Sequence, residues 1–270
     1  MIPIALTIAG SDSSGGAGIQ ADLKTFSALG VYGASVLTGL TAQNTQRVSA
    51  IHAVPGAFIS AQLDAVFDDL DIKAIKIGMV GSLEAINAVA DELAEVRNIP
   101  VILDPVMVAT SGDALLESGA EQALRERLIP LAGLITPNLY EAACLLGDPG
   151  IAVNEEQMRD QADRLLELGA QAVLIKGGHG KGAEAVDILT QDNGQTRLAG
   201  PRIATSNTHG TGCTLSSAIA AGLAKGASLE DACTQAKAYL TGALSAADAL
   251  DVGQGAGPVH HFFDLWDKPS

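Results

Sequence analysis

Short apolar runs that end in glycine, proline or a polar residue alternate with helical segments along the chain. The runs are IALTIAG (4–10), DIKAIKIG (71–78), IPVILDP (99–105), AGLITPN (132–138) and QAVLIKGG (171–178). The intervening segments carry apolar helical faces, one made by Ile19, Leu23, Phe26 and Leu29 and another by Ile86, Val89 and Leu93. Strands that are apolar throughout and alternate with helices predict a mostly parallel sheet covered on both faces.

Two further features bound the architecture. The segments AVDILT (185–190) and QTRLAG (195–200) flank QDNG, which predicts a hairpin near one edge of the sheet. No internal repeat, low-complexity tract or linker divides the sequence of 270 residues, so we expect one α/β domain over residues 1–270.

The charge balance restricts the possible partners. An excess of 31 acidic over 16 basic residues argues against nucleic acid and anionic membrane surfaces. A polyphosphate site on such a protein needs helix N-termini, placed lysines and a divalent cation. The cysteines at 144, 213 and 233 show no paired or metal-like spacing, which fits a reducing cytosol. The charge-free runs 25–46 and 203–224 are rich in polar residues and glycine, so we expect a cytoplasmic protein without a membrane span.

Polar or flexible residues follow the predicted strands where each strand ends. They are Asp12, Gly78 with Met79, Asp104, Asn138 and Lys176. In open parallel sheets, ligands bind beyond the carboxyl ends of the strands. We therefore expect a ligand site at this edge of the sheet.

The segment GSDSSGGAGIQADLKT (10–25) contains a Gly16-x-Gly18-x-x-Ala21 pattern between a strand and a helix. Dinucleotide-binding proteins share this spacing, but the acidic residue that they place about 20 residues further on is absent from ASVLTGLTAQ (34–43). That absence argues against a dehydrogenase. The segment is either a flexible loop that caps a helix or a backbone loop that closes over a small polar substrate, and the two interpretations are compatible.

Three other segments carry candidate ligand groups, each with a structural alternative. Gln43 and Asn44 in LTAQNTQ (40–46) offer amides that suit the edge of a nitrogen heterocycle, or they form an ordinary turn. Asn138 and Glu141 have the spacing of a capping box, or they serve a hydrated Mg²⁺ ion together with Asp104.

Lys176 ends a buried strand and therefore needs a partner. Phosphate oxygens are the favoured candidate, and a structural carboxylate is the alternative. The chain has no GxxxxGK[ST] sequence, so Lys176 is not a P-loop lysine.

The stretch NTHGTGCTLSSAIAAGL (207–223) passes from a polar loop into an apolar helix. Free backbone N–H groups at that helix start, together with the helix dipole, predict an anion site that could hold a phosphoryl group. Cys213 lies in the same field, which should lower the pKa of its thiol. No spacing of histidines supports a zinc site, so we assign them to loops or caps: His179, His209, His260 and His261.

Taken in order, these segments resemble the ribokinase-like superfamily, and within it the bacterial hydroxymethylpyrimidine/phosphomethylpyrimidine kinases of thiamine biosynthesis. The matching segments are AGSDSSGGAGIQADLKTF, TAQNT, KIGM, DPVM, SGDALL, TPNLYEA, KGGH, NTHGTGCTLSSAIA and GPVHHF. The superfamily's anion hole usually ends in Gly-Ala-Gly-Asp, with the Asp as base. This chain has Gly-Thr-Gly-Cys (210–213), as in the pyrimidine kinases and their pyridoxal-kinase relatives, so the resemblance places Cys213 in the base position.

The resemblance implies a three-layer α/β/α ribokinase-like fold with a central, mostly parallel sheet, and a homodimer. It also implies ATP, Mg²⁺ and transfer of the γ-phosphoryl group to 4-amino-5-hydroxymethyl-2-methylpyrimidine and then to its monophosphate. By the same resemblance, the catalytic residues would be Gly210, Thr211, Gly212, Cys213 and Lys176. The pyrimidine would contact Gln43, Met79, Val106, Asp12 and Gly18. ATP would contact Lys176, Asn138 and Thr208, and Mg²⁺ would lie near Glu141, Asp104 and Asn138.

Relatives can carry Glu in place of Gln43, which leaves the hydrogen-bond pattern at the ring open. Two other functions also stay open. A pyridoxine or pyridoxal kinase would act on a similar ring with a hydroxymethyl arm. A non-catalytic pyrimidine-binding protein could use the same fold, but it would have no need for Asn138, Glu141 and Lys176.

Overall fold

The computed structural model describes residues 1–109, 112, 113, 115–117, 119–178 and 182–266. The strands within these residues are β1 (Ile4–Asp12), β2 (Tyr32–Gln43), β3 (Val48–Ala53), β4 (Ile72–Ile77), β5 (Val101–Leu103), β6 (Leu134–Ile135), β7 (Ala172–Lys176), β8 (Glu184–Gln191) and β9 (Gly194–Pro201). They form one sheet in the order β3-β2-β1-β4-β5-β6-β7-β8-β9. The neighbouring pairs β2–β1, β1–β4, β4–β5, β5–β6 and β6–β7 are parallel. The pairs β2–β3, β7–β8 and β8–β9 are antiparallel.

Helices cover both faces of this sheet. They are α1 (Gly18–Ala28), α2 (Gly56–Phe67), α3 (Leu83–Glu95), α4 (Ala120–Ala123), α5 (Leu139–Leu146), α6 (Glu155–Leu166), α7 (Thr211–Ala224) and α8 (Leu229–Ser245). After α4 the chain continues through a π turn (Leu124–Leu128) and a 3₁₀ turn (Ile129–Leu131), and a further 3₁₀ turn (Ala247–Ala249) follows α8. One core contains side chains of α1, α7 and α8, and the other contains side chains of α2 to α6.

The two cores follow from the alternation of side chains along the central strands. In β4, Ile75 and Ile77 pack into the core on the side of α2 to α6, whereas Ala74 packs on the side of α7. Successive side chains of a strand point to opposite faces, so a strand covered on both faces is apolar at most positions, and Lys76 of β4 is a buried exception. This requirement explains the predominantly apolar runs of the sequence.

The predicted architecture is confirmed in most of its elements. The five apolar runs form β1, β4, β5, β6 and β7, and the predicted hairpin forms β8 and β9 at one edge. The β2–β3 hairpin at the opposite edge was missed, because β2 (YGASVLTGLTAQ) mixes Gly, Ser and Thr with its apolar residues. His179 and part of SGDALL lie outside the described residues.

A membrane span is also not found. None of the helices in the described ranges is long and apolar enough to cross a bilayer.

Two phenylalanines test the position of the core. Phe26 in α1 is fully buried, whereas Phe58 in α2 is 61% exposed. We expect Phe26→Ala to lower the free energy of unfolding by about 3–5 kcal/mol, because it removes a buried ring and leaves a cavity. Phe58→Ala should change it by less than about 0.5 kcal/mol. Urea unfolding of both variants measures the difference, and similar losses would contradict the packing of α1.

Candidate active site

The carboxylate of Asp12 organises the loop between β1 and α1. Its Oδ1 accepts hydrogen bonds from the N–H (2.8 Å) and the hydroxyl (2.7 Å) of Ser14. Its Oδ2 accepts from the N–H groups of Gly16 (3.1 Å) and Ala17 (2.8 Å) and lies 2.8 Å from His209 Nε2. Both oxygens are therefore used within the protein. Asp12 shapes the loop in this way, and its predicted contact with the substrate stays a prediction.

The hydrogen bonds also fix the charge of this carboxyl. Burial alone would raise the pKa of Asp12, but the hydrogen bonds, with that of His209 first among them, lower it to about 2. Asp12 is therefore ionised at neutral pH and can only accept, so Nε2 of His209 must be the donor in their contact.

The loops 12–18 and 207–212 meet through their backbones. Gly210 precedes α7 with a φ of 79°, and a Cβ atom there would overlap the carbonyl oxygen of Gly16. A Cβ atom on Gly16 would in turn overlap the ring of His209. Behind this contact, the His209 N–H donates to the carbonyl of Gly257 (3.0 Å), and the Val259 N–H donates to the carbonyl of His209 (3.3 Å). Only glycine fits at 16 and 210 in this arrangement.

The first turn of α7 faces the side chain of Lys176. Among the described residues, no side chain caps this turn. A Cβ atom on Gly212 would lie 3.2 Å from Lys176 Nζ and 3.4 Å from Asp104 Oδ2. Thr211 turns outward, and its hydroxyl donates to the carbonyl of Thr208 (2.6 Å). The positive end of the helix dipole and one ammonium group thus converge on one point, as an anion site requires.

Cys213 is half-buried in this first turn. Burial raises the pKa of its thiol to about 11; the charge of Lys76 opposes that rise, while the charge of Asp22 adds to it. Asp104 adds to the rise as well, and a hydrogen bond from the Gly18 backbone opposes it. The prediction that the helix start lowers this pKa is therefore wrong. Loss of water and two nearby carboxylates outweigh the helix end, and the thiol is protonated at neutral pH.

Lys176 lies between two buried carboxyl groups. Its Nζ is 2.6 Å from Asp104 Oδ1 and 3.8 Å from Glu141 Oε2. Asp104 also accepts from the hydroxyls of Thr136 (3.0 Å) and Ser216 (3.4 Å). Burial raises the pKa of Glu141 to about 7, a rise that Lys176 opposes and Asp104 increases. The cluster therefore contains the Lys176–Asp104 ion pair and, beside it, the carboxyl of Glu141, which changes its charge near neutral pH.

The capping box predicted for α5 is confirmed. Asn138 is the N-cap, and its Oδ1 accepts from the N–H groups of Tyr140 and Glu141 (2.9 Å each). Oε2 of Glu141 accepts from the Asn138 N–H (2.7 Å) and also faces Lys176. Glu141 therefore caps α5 and also belongs to the cluster around Lys176.

The same residues fit a magnesium ion only in a particular way. Within the part of the chain that the structure describes, no group of three or more His, Cys, Asp or Glu side chains could hold a metal. Asn138 already uses its amide oxygen in the cap. Two carboxylates remain, Asp104 and Glu141. They suit an ion that keeps several waters and arrives with a phosphate, which is the usual habit of Mg²⁺.

Gln43 ends β2 beside a cleft of about 420 Å³. The cleft is lined by Gln43, Asn44, Thr45, Gln46, His209, Gln254, Gly255 and Ala256. The Thr41 hydroxyl shares its proton between the carbonyl oxygen of Ser11 (2.9 Å) and Oε1 of Gln43 (3.1 Å), and Nε2 of Gln43 lies 3.5 Å from His209 Nε2. Because His209 donates from that nitrogen to Asp12, it offers Gln43 no acceptor. The contact leaves the amide N–H groups of Gln43 for a ligand.

The other predicted residues lie at the same edge of the sheet. Asn44 forms the β2–β3 turn, since its Oδ1 accepts from two N–H groups further along it (2.9 and 3.0 Å), so the turn interpretation holds there. Met79 follows β4, with its methyl group close to Gly10 of β1. Val106 is half-buried beyond β5, and Thr208 is exposed beside the anion loop. Their contacts with ligands stay predictions.

Three buried groups were not predicted from the sequence. Asp22 and Lys76 are fully buried, and His209, assigned to a loop or a cap, is buried against Asp12. A signal was present for the first two, because a lysine inside the apolar run DIKAIKIG and an aspartate inside an apolar helix are rarely buried unless they are paired. Nothing in the spacing indicated that these two residues pair with each other.

Comparisons with known proteins agree with this geometry. Residues 12–260 match the phosphomethylpyrimidine kinase family. The chain is 60% identical over 266 residues to the hydroxymethylpyrimidine/phosphomethylpyrimidine kinase of Rhizobium meliloti (strain 1021), a match that covers 98% of this chain and 99% of that protein.

Solved structures of kinases share the fold. An ADP complex of Bacillus subtilis pyridoxal kinase has a TM-score of 0.88 at 39% identity and covers 97% of this chain and 98% of its own. Phosphomethylpyrimidine kinase from Clostridium difficile 630 has a TM-score of 0.79 at 45% identity and covers 89% and 98%. The predicted three-layer ribokinase-like fold is confirmed.

The contact between the two loops can be tested with a matched pair of glycines. Gly210 and Gly226 lie at opposite ends of α7 with φ values of +79° and +84°. Alanine is strained at either position, by about 1 kcal/mol. At 226 a Cβ atom would meet nothing within 4 Å, whereas at 210 it would overlap Gly16. We expect Gly210→Ala to lose about 1–3 kcal/mol more than Gly226→Ala in guanidinium unfolding. Equal losses would refute the contact.

Proposed function

Because the chain belongs to the phosphomethylpyrimidine kinase family, we propose that it phosphorylates 4-amino-5-hydroxymethyl-2-methylpyrimidine for thiamine biosynthesis. ATP is the phosphoryl donor, and the monophosphate is phosphorylated again in the same site to give the diphosphate. The observation that carries this proposal is the uncapped start of α7: His209, just before it, lines the Gln43 cleft, and Gly212, in its first turn, lies beside Lys176 and Asp104.

The pyrimidine ring occupies the cleft beside Gln43. A free amide N–H donor on a side chain held by Thr41 suits a ring nitrogen acceptor. Met79 and Val106 pack beside the ring from the ends of β4 and β5. The loop 12–18, shaped by Asp12, supplies the backbone of Gly18 near Cys213. These contacts orient the hydroxymethyl arm toward the first turn of α7.

The phosphates of ATP bind at the start of α7. The N–H groups of residues 211 to 213 and the ammonium of Lys176 neutralise the charge on the group in transfer. Asn138 and Thr208 line the path of the phosphate chain. Mg²⁺ bound with ATP supplies further charge neutralisation, and Asp104 and Glu141 are the residues that would hold it.

The alcohol oxygen forms a bond to the γ-phosphorus while the bond from that phosphorus to the bridging oxygen of ADP breaks. The alcohol proton passes to the sulfur of Cys213, which acts as the base when it is ionised. At neutral pH most of the thiol is protonated, because burial raises its pKa to about 11. Positioning and charge neutralisation therefore contribute more to the rate than early deprotonation does, as expected for a loose transition state.

Two other functions compete with this proposal. A pyridoxal kinase is favoured by the TM-score of 0.88 to a solved enzyme of that name. A non-catalytic pyrimidine-binding protein accounts for the cleft but not for the buried Lys176–Asp104 pair at the anion site.

The proposal extends to the organisation of the protein. Residues 1–270 form one kinase domain that works in the cytoplasm and, because it is acidic, binds no nucleic acid. A homodimer is supported by apolar side chains at the β3 edge of the sheet, where Leu40 and Ile51 are 44% and 46% exposed.

The substrate preference tests the proposed function. We expect kcat/KM for the pyrimidine alcohol to exceed that for pyridoxal by at least about tenfold, equivalent to about 1.4 kcal/mol of transition-state stabilisation. Coupled ADP release with the pyrimidine alcohol, its monophosphate and pyridoxal, assayed side by side, measures this preference. A preference of similar size for pyridoxal would establish the competing kinase function instead.

Replacement of Cys213 tests the base. Cys213→Ala should lower kcat by a factor on the order of 10²–10⁴ with little change in KM for ATP. Cys213→Asp should retain more activity, because it restores the acid of the wider superfamily. The parent's kcat should rise with pH from neutral toward about 11, as the thiolate fraction grows. The Asp variant should show a flat profile there, because a carboxylate is already ionised.

Two results would end the assignment of Cys213 as the base. One is an Ala variant whose kcat stays within about threefold of the parent, which is far below the loss expected for a general base. The other is a parent enzyme whose kcat does not change over the alkaline range.

A further inference from the structure

Two charged side chains outside the proposed reaction path lie buried near the first turn of α7. Lys76 of β4 and Asp22 of α1 are each 0% exposed. Nζ of Lys76 donates to both carboxylate oxygens of Asp22, at 2.9 and 2.8 Å. The bidentate contact fixes the ammonium in one place on the face of β4 that α7 covers.

Asp22 is held from two further sides. Its Oδ2 accepts from the hydroxyl of Thr7 in β1 (2.6 Å), and its Oδ1 accepts from the hydroxyl of Ser217 in α7 (2.6 Å). Ser217 lies one helical turn beyond Cys213, so this network reaches α7 directly below the thiol. All members of the network are fully buried.

Stability alone is a weak explanation for such a pair. Removing two charges from water is costly, and well-packed apolar residues in place of a buried ion pair are often at least as stable. The positions of Asp22 and Lys76 in the apolar surroundings of α1 and β4 therefore point to a use for the charge itself.

The reactive group that this network approaches is Cys213, which lies one turn of α7 before Ser217. The charged groups that act on it come from four elements of the site: Lys76, Asp22, Asp104 and Lys176. The charge of Lys76 favours the ionised form of the thiol, whereas the carboxylates of Asp22 and Asp104 oppose it. Lys176 is already paired with Asp104 at 2.6 Å and faces the anion site.

We infer that Lys76, held in place by Asp22, is a positioning residue that supplies the positive charge stabilising the ionised sulfur of Cys213. This inference rests on the proposed role of Cys213 as the base. Asp22 orients the ammonium and stops it from moving to the phosphate site, while Ser217 keeps α7 in register above it. Lys76 itself touches neither the substrate nor ATP.

The rate of alkylation of Cys213 tests this inference without any substrate. In the free protein at pH 8, the thiolate is a small fraction of the thiol, so the rate with iodoacetamide follows that fraction. We expect Lys76→Met to slow alkylation of Cys213 by about tenfold or more, which corresponds to a rise of at least about one pKa unit. Peptide mass spectrometry separates Cys213 from Cys144 and Cys233.

Two further variants separate charge from packing. Ser217→Ala removes a hydrogen bond to the same carboxylate but no charge, so its alkylation rate should stay within about threefold of the parent, well short of a shift of one pKa unit. Asp22→Asn with Lys76→Met removes both charges and leaves no unpaired ion if the single variant fails to fold. Its rate should lie between that of Lys76→Met and that of the parent, because loss of the Asp22 carboxylate, which opposes ionisation of the thiol, offsets part of the loss of the Lys76 charge.

The direction of the change in the alkylation rate distinguishes an electrostatic role of Lys76 from a purely structural one. A purely structural role predicts that loosened packing exposes Cys213 and speeds its alkylation. A rate equal to or faster than the parent's in whichever variant folds, Lys76→Met or the double variant, therefore overturns the inference. Because no substrate is present, this result is independent of whether the pyrimidine alcohol or pyridoxal is phosphorylated.

Discussion

The rest of the site depends on the ionised carboxylate of Asp12. It gathers N–H donors of the loop after β1 and receives His209 from a position 197 residues further along the chain. A buried carboxylate is tolerated only when hydrogen bonds replace its lost water, so the loop and His209 must be in place together. Their joint placement lets Gly16 and Gly210 meet and brings the Gly18 N–H to Cys213.

Two lysines, each paired with a buried carboxylate, lie close to the start of α7 in this acidic protein. The chain carries a net charge of −15, which by itself repels phosphate. Lys176 beside the start of α7 and Lys76 beneath it act over short distances in a poorly hydrated environment, where charges interact much more strongly than across solvent. The more distant surface acids are screened by salt. At the start of α7, the nearby charges and helix N–H groups therefore affect an anion more than the net charge of the chain does.

Several side chains here combine a structural role with a proposed chemical one. Glu141 completes the cap of α5 and also faces Lys176, so a helix end and a charged cluster share one carboxyl. Gln43 closes β2 and offers its amide to the cleft. Such sharing explains why a structural interpretation and a functional one could both be argued for the same residue. The structure supports the structural interpretation directly, and the proposed function adds to it.

The sequence by itself determined the layered fold, the parallel strands, the β8–β9 hairpin and the edge of the sheet where the site lies, because apolar periodicity and strand ends are local properties. The capping box at Asn138 was determined in the same way. Only the tertiary structure decided which distant groups meet: Asp12 with His209, and Lys76 with Asp22. It also decided the protonation of Cys213, which a helix start alone predicted wrongly. A pKa depends on lost water and on charges from several elements, and those are set by three-dimensional packing and not by spacing along the chain.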